Sequence, residues 1–186
     1  LSIILTGAAL IREREHGTVE HLLVMPVTSV EIMLAKIWST ALIVLAAAWC
    51  SLTFVVRGTL HVPVEGSVLL FLALSALHLL ATTSMGLLMA TMARTMPQFG
   101  MAFLLTVMPL QVLSGGLTPR ESMPDAVQLI MNVAPTTHFV AGSQAILFRG
   151  AGLDVIWPRL LALVAIGAGC FALALWRFPA SLRQRG

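Results

Sequence analysis

Long apolar runs, separated by short segments that carry most of the charges, dominate the chain. Ile37 to Val56 and Ser67 to Met92 contain no charged residue, and Ile156 to Trp176 contains one, Arg159, in its first turn. A helix rises about 1.5 Å per residue, so about 20 residues cross the roughly 30 Å hydrocarbon core of a bilayer. Each run therefore predicts a transmembrane helix.

Two shorter apolar runs need a different interpretation. Leu1 to Ile11 has no initiator Met and no basic region before it, so it predicts the end of a truncated membrane helix rather than a signal peptide. Phe99 to Leu113 has 15 residues with Pro109 near its end. A helix this short crosses a bilayer only with help from the preceding turn or from local thinning.

Helix-boundary signals accompany these runs. Thr28 and Glu31 have capping-box spacing at the entry to the first full span, where Lys36 can snorkel to the interface. Asp154 is the predicted N-cap of the last span, with Pro158 in its first turn.

Composition places the chain in the membrane class. Apolar residues make up 58% and charged residues 10%, and the mean hydropathy is +0.94, whereas soluble domains carry about 25% charged residues. The pI is near 9.7, but the 11 Lys and Arg are scattered among span boundaries, which argues against nucleic-acid binding. We predict an all-α, polytopic transmembrane helical bundle that forms a single domain over residues 1–186.

Basic residues near span ends indicate orientation, because Lys and Arg are retained on the cytoplasmic side. Seven fall on one side and four on the other. The predicted cytoplasmic set is Arg12, Arg14, Lys36, Arg94, Arg177, Arg183 and Arg185, and the outer set is Arg57, Arg120, Arg149 and Arg159.

The segment from Ser114 to Leu153 is too long for a structureless loop in a compact domain. Its signals predict two short helices: one starts at Ser122 and runs to about Val133, and the other starts at Thr136 or Thr137 and runs to about Phe148. Both are too short to span. We expect them to lie at the outer surface or to dip back into the membrane against the other helices.

The block from Arg12 to Pro26 carries five of the 19 formal charges at a water boundary. Val19, Leu22 and Leu23 follow at helical spacing and form one apolar stripe. This pattern predicts a short interfacial helix that contacts a soluble partner, although a helix resting on the lipid surface would look similar. The chain has no G-x-x-x-x-G-K-[ST] sequence, so any ATP that drives it is hydrolysed by another subunit.

The sequence gives only weak signals for catalytic groups. His16, Glu20 and His21 depart by one residue from the H-x-x-E-H zinc spacing, and an exposed polar face is the simpler interpretation. His138 and Ser143 lack both a G-x-S-x-G elbow and a nearby carboxylate.

Two polar residues and two cysteines fall within or beside the spans. His78 and Gln111 invite a functional hypothesis, but neither has a charged partner in a neighbouring span. Cys50 and Cys170 are expected at different depths, too far apart for a disulfide.

The sequence from Glu13 to Glu20 leading to Pro26, then Glu31 and Lys36, resembles the cytoplasmic coupling segment of type 2 ABC exporter permeases. The outer stretch of Leu113 to Pro119, Met123-Pro124 and Ala134 to Phe139 is similar to bacterial drug-efflux-like members of that family. The resemblance covers essentially the whole chain.

The resemblance implies a six-helix permease, of which this chain would hold the end of the second helix through the sixth. Two such subunits, alike or different, would assemble in the bacterial cytoplasmic (inner) membrane with two ABC-type ATPase subunits. The chain itself would hold no cofactor, because ATP and Mg²⁺ would bind to the partner. The coupling residues would be Glu13, Arg14, Glu15, Gly17, Thr18, Glu20 and Pro26, and the outer gate residues would be Gly115, Gly116, Pro119, Pro135, Thr136 and His138.

We therefore predict a permease subunit that exports a hydrophobic or amphipathic substrate, such as a drug or a lipid-like molecule. ATP-driven motion of the partner would displace the docked coupling helix, and the span beginning at Thr28 would carry the displacement outward. Two alternatives remain open: an intramembrane enzyme using His138 and Ser143, and a non-catalytic membrane anchor.

Overall fold

The computed structural model describes residues 2–15, 29–59, 65–93, 95–116, 118 and 122–183. Every regular element in these ranges is helical, which confirms the predicted all-α class. The helices are α1 (Ser2–Glu15), α2 (Ser29–Cys50, continued by a π-helical segment, Ser51–Thr59), α3 (Val68–Met92), α4 (Met96–Val112), α5 (Asp125–Met131), α6 (Pro135–Arg149) and α7 (Leu153–Arg183).

Three apolar helices are long enough to cross a membrane, as predicted: Val30–Val56, Val68–Met92 and Leu153–Phe178. Many of their large side chains point away from the bundle. Leu42 is 63% exposed on α2 and Trp176 is 77% exposed on α7. An apolar side chain that faces lipid carries no exposure penalty, because lipid tails are as apolar as the side chain itself.

Helix α3 is the centre of the bundle. It packs against α7, α1, α2, α6 and α4. Its buried residues run from Leu74 to Thr91, and Leu74, Ala81, Leu87 and Ala90 are each 0% exposed. The other helices are thus held together chiefly through this one span.

Small residues let helices approach α3 closely. A Cβ atom on Gly86 would lie 2.7 Å from the Ile3 carbonyl oxygen of α1, and one on Gly167 of α7 would lie 3.2 Å from the Ala81 Cα. Packing in membranes relies on such contacts, because lipid tails are as apolar as the side chains and provide no hydrophobic drive.

Two helix ends are defined by single residues. Ser67 caps α3, with its hydroxyl accepting from the Leu70 N–H at 3.4 Å. Gly150 ends α6 at φ 60°, a left-handed conformation that favours glycine.

Some boundary predictions are wrong. Helix α5 begins at Asp125 rather than at Ser122. Helix α6 begins at Pro135 rather than at Thr136 or Thr137, because the fixed φ of proline suits the first helical position.

Asp154 lies inside the first turn of α7 rather than at its N-cap, since the helix already begins at Leu153. There its carboxylate still lies near the positive end of the helix dipole. Thr28 of the predicted capping box lies outside the described residues.

Candidate functional site

The predicted coupling segment connects α1 to α2. Glu13, Arg14 and Glu15 form the last turn of α1, and α2 begins at Ser29. The remaining predicted coupling residues, Gly17, Thr18, Glu20 and Pro26, lie outside the described residues, as do His16 and His21.

Helix α1, which leads into that segment, is anchored firmly in the bundle. Leu10 and Ile11 are each 1% exposed. Near its other end, the Ser2 and Thr82 hydroxyls form a buried hydrogen bond of 2.9 Å. Helix α1 is therefore buried near both of its ends and packs closely against α3.

The two predicted short helices after Gly116 are present as α5 and α6. We call this pair the outer hairpin, after its predicted side of the membrane. Helix α6 runs antiparallel to α3, as three contacts show. At one end the Glu65 N–H donates to the Leu147 carbonyl at 3.2 Å. Further along, a Cβ on Gly142 would meet Leu74 Cδ2 at 2.8 Å.

The third contact shows how far α6 extends along α3. The rings of Phe139 and His78 stack with centroids 4.3 Å apart, and His78 lies ten residues into α3, about 15 Å along its axis. This is about half of a 30 Å hydrocarbon core. Helix α6 therefore packs lengthwise along the first half of α3.

The described gate residues converge where α4 ends and α6 begins. Pro135 and Thr136 are buried at the start of α6, and the Thr136 hydroxyl donates to the Leu110 carbonyl of α4 at 3.4 Å. Gly115 has φ 94° in the turn after α4. A Cβ on Gly116 would lie 3.7 Å from Val140 of α6. Pro119 lies outside the described residues.

His138, the last predicted gate residue, does not pair with Ser143. Its Nε2 donates to the Asn132 carbonyl at 2.7 Å, whereas the Ser143 hydroxyl donates to the Val140 carbonyl at 2.9 Å. Each side chain is hydrogen-bonded to a nearby backbone carbonyl. This arrangement does not activate a serine nucleophile. Within the described ranges, no group of three or more His, Cys, Asp or Glu could hold a metal ion.

The other polar residues of the spans have distinct environments. His78 is covered by Phe139, and its Nδ1 has no hydrogen-bond partner in the structure. Gln111 is exposed near the end of α4. Cys50 and Cys170 are both free thiols, which confirms the prediction that they form no disulfide.

Sequence reasoning missed the hydroxyl contacts between helices. Besides Ser2 and Thr82, the Thr6 hydroxyl of α1 hydrogen-bonds that of Thr40 of α2 at 3.2 Å. Hydroxyl residues within apolar runs are the available signal, because Ser and Thr commonly bond across helices in membranes. Their pairing, however, depends on how the helices are arranged.

The geometry is that of a multi-pass helical membrane protein in which two short helices, α5 and α6, follow α4, and α6 packs against α3. Residues 1–148 match the family described as ABC-2 type transporter. The chain belongs to this family, which confirms the predicted class of type 2 ABC permeases.

Three relatives from Escherichia coli (strain K12) illustrate the similarity. The chain is 61% identical over 178 residues to "Inner membrane transport permease YhhJ", covering 96% of this chain and 48% of that protein. It is 30% identical to "Probable multidrug ABC transporter permease YbhR" (94% and 48% covered) and 33% identical to "Probable multidrug ABC transporter permease YbhS" (89% and 44%). The chain thus spans about half the length of these relatives. The similarity to YhhJ and the three long apolar helices confirm a multi-pass inner-membrane protein.

Proposed function

We propose that this chain is part of the permease subunit of an ABC-type exporter, which moves a hydrophobic or amphipathic molecule such as a drug or lipid-like compound out of the cytoplasm. The observation that carries the proposal is the match of residues 1–148 to the ABC-2 family. Relatives named as multidrug transporter permeases support the substrate class.

The helix packing supports a mechanical route from the coupling segment to the outer hairpin. Helix α1 contacts α3 at Ile3 and Gly86, and α3 contacts α6 at Leu74 and Gly142. Packed helices transmit rigid-body shifts because tightly packed interfaces deform little. This proposed route passes through α3, which contacts both α1 and α6, and it adds to the proposed route through the span beginning at Thr28.

The match to the ABC-2 family and the relatives named as permeases support a partner ATPase as the source of energy. This ABC-type ATPase would bind ATP and Mg²⁺ and would contact the coupling segment from the cytoplasm. A second permease subunit, identical or related, would complete the pathway. The subunit itself then acts as a non-catalytic transporter component.

The test uses the complete subunit and its ATPase reconstituted in proteoliposomes, with ATP-dependent efflux of a fluorescent amphiphile as the readout. Glu15→Arg reverses a charge in the last turn of α1 and should abolish ATP-dependent transport while membrane insertion stays normal. Glu65→Arg is the matched control, because Glu65 is exposed and lies at the opposite end of the bundle. Transport at the wild-type rate by Glu15→Arg would defeat the coupling assignment.

A further inference from the structure

A groove of about 700 Å³ lies between α1 and α2 and opens to the surface of the bundle. Its volume falls in the range of about 300–1,000 Å³ that holds drug-sized ligands. Along α2 it extends from Glu31 to Ile43. These twelve steps correspond to about 18 Å of helix, somewhat more than one leaflet of hydrocarbon.

The groove is polar at one end and apolar at the other. Glu31 and Lys36 line it near the start of α2, whereas Leu5 and Ile43 line the opposite end. With the predicted orientation, the charged end lies at the cytoplasmic boundary and the apolar end lies deeper in the membrane. The lining therefore matches an amphipathic molecule that enters from the cytoplasmic leaflet.

Hydroxyl groups and small side chains form the middle of the groove. The Thr6 and Thr40 hydroxyls bond to each other across it at 3.2 Å. Ala9 of α1 and Ala35 of α2 also line it, and their short side chains leave the space open. Each hydroxyl oxygen has two acceptor lone pairs, so this pair can accept from a ligand without losing its own bond.

The two charges at the mouth determine which polar group fits. Glu31 and Lys36 are of opposite sign and both already take part in polar interactions within the chain. A ligand with a net charge would bring an uncompensated charge to a low-dielectric boundary, which is costly. A zwitterionic group can instead place its cation toward Glu31 and its anion toward Lys36.

We propose that the α1–α2 groove is a binding site for an amphipathic molecule with a zwitterionic polar end and an apolar tail. The tail lies along Leu5 and Ile43, and the polar end lies between Glu31 and Lys36. The proposal rests on the proposed export function for its biological role, since it names the substrate class. A zwitterionic membrane lipid and an exported zwitterionic drug share this chemistry.

The experiment is photolabelling of the complete subunit in nanodiscs made of anionic phosphatidylglycerol. The probe is an alkylphosphocholine with a diazirine in its tail, and the labelled residues are located by mass spectrometry. Labels are expected on α1 and α2 near Leu5 and Ile43. Ala35→Trp fills the groove and should lower labelling about tenfold, which corresponds to about 1.4 kcal/mol of binding free energy.

Ala46→Trp is the matched control, because Ala46 is exposed on α2 and does not line the groove. The probe should label this variant to the same extent as the wild type. Equal-length trimethylammonium and sulfate amphiphiles should compete poorly with the probe. The proposal is overturned if the wild type is not labelled in the groove, if Ala35→Trp labels as strongly as Ala46→Trp, or if either charged analogue competes as well as unlabelled phosphocholine.

Two further measurements complete the experiment. One distinguishes a membrane lipid from an exported amphiphile as the bound molecule, and the other distinguishes failure of the groove proposal from failure of the proposed export function. Loss of labelling when zwitterionic phosphatidylethanolamine replaces phosphatidylglycerol assigns the site to a membrane lipid, and persistence assigns it to an exported amphiphile. Labelling needs no ATP, so its absence together with normal ATP-driven efflux defeats the groove proposal alone. Specific labelling without any ATP-dependent transport defeats the export function alone.

Discussion

Replacing Gly86 by Ala tests whether α1 is held against α3 by direct backbone contact. The added Cβ would lie 2.7 Å from the Ile3 carbonyl oxygen and 3.0 Å from the Ile3 Cα. Both are backbone atoms, so no side-chain rotation can relieve the contact. Helix α1 must therefore move away from α3 or the helices must distort.

The magnitude follows from a comparison with Gly169→Ala. Gly169 is a helical glycine of α7 whose added Cβ meets nothing within 4 Å. Ala favours a helix interior over Gly by about 1 kcal/mol, and both substitutions receive this gain. Overpacking costs about 1–3 kcal/mol. Gly86→Ala should therefore have an unfolding free energy lower than that of Gly169→Ala by about 1–3 kcal/mol.

The assay is equilibrium unfolding of the complete subunit in mixed micelles with increasing SDS, followed by tryptophan fluorescence. ATP-dependent transport is measured on the same variants, since a displaced α1 would also shift the coupling segment. Equal unfolding free energies for Gly86→Ala and Gly169→Ala would refute the close approach of α1 and α3. It would also remove the first contact of the proposed mechanical route.

Three further outcomes are expected. Leu87→Ala removes a side chain that is 0% exposed and should lower the unfolding free energy by about 2–5 kcal/mol, whereas Leu104→Ala, at a 52% exposed position, should change it little. The double variant of His138→Ala and Ser143→Ala should show at most a partial transport defect, and complete loss of activity with normal folding would favour an enzyme. With both native cysteines replaced, Glu15→Cys should react with an impermeant maleimide only from the cytoplasmic side, and reaction from the outside would contradict the predicted orientation.

Much of the secondary structure could be predicted because its determinants are local. The hydrocarbon thickness fixes the length of a span, so the charge-free runs ending at Val56 and Met92 had to be helices. Ser67 and Gly150 mark helix ends through their own side chain or backbone freedom. Asp154 was predicted as the N-cap of α7 but lies two positions after it, because a carboxylate is favourable in the first turn of a helix as well as at its N-cap.

The candidate sites could be predicted only in part. The charged block near Glu15 and the turn residues around Gly116 are visible as interruptions of apolar sequence. The contact of Thr136 with Leu110, however, joins residues 26 positions apart. No local pattern indicates which carbonyl lies opposite a given hydroxyl.

The sequence by itself determined the class, the number of long spans and the positions of most helix ends, because these depend on hydrophobicity and neighbouring residues. Only the tertiary structure decided that α3 is central, that α6 packs along α3 to the level of His78, and that a groove opens between α1 and α2. In a membrane protein both the lipid-facing and the buried side of a helix are apolar. The hydrophobic pattern therefore cannot identify which faces meet, and small residues such as Gly86 reveal their role only once a partner helix lies against them.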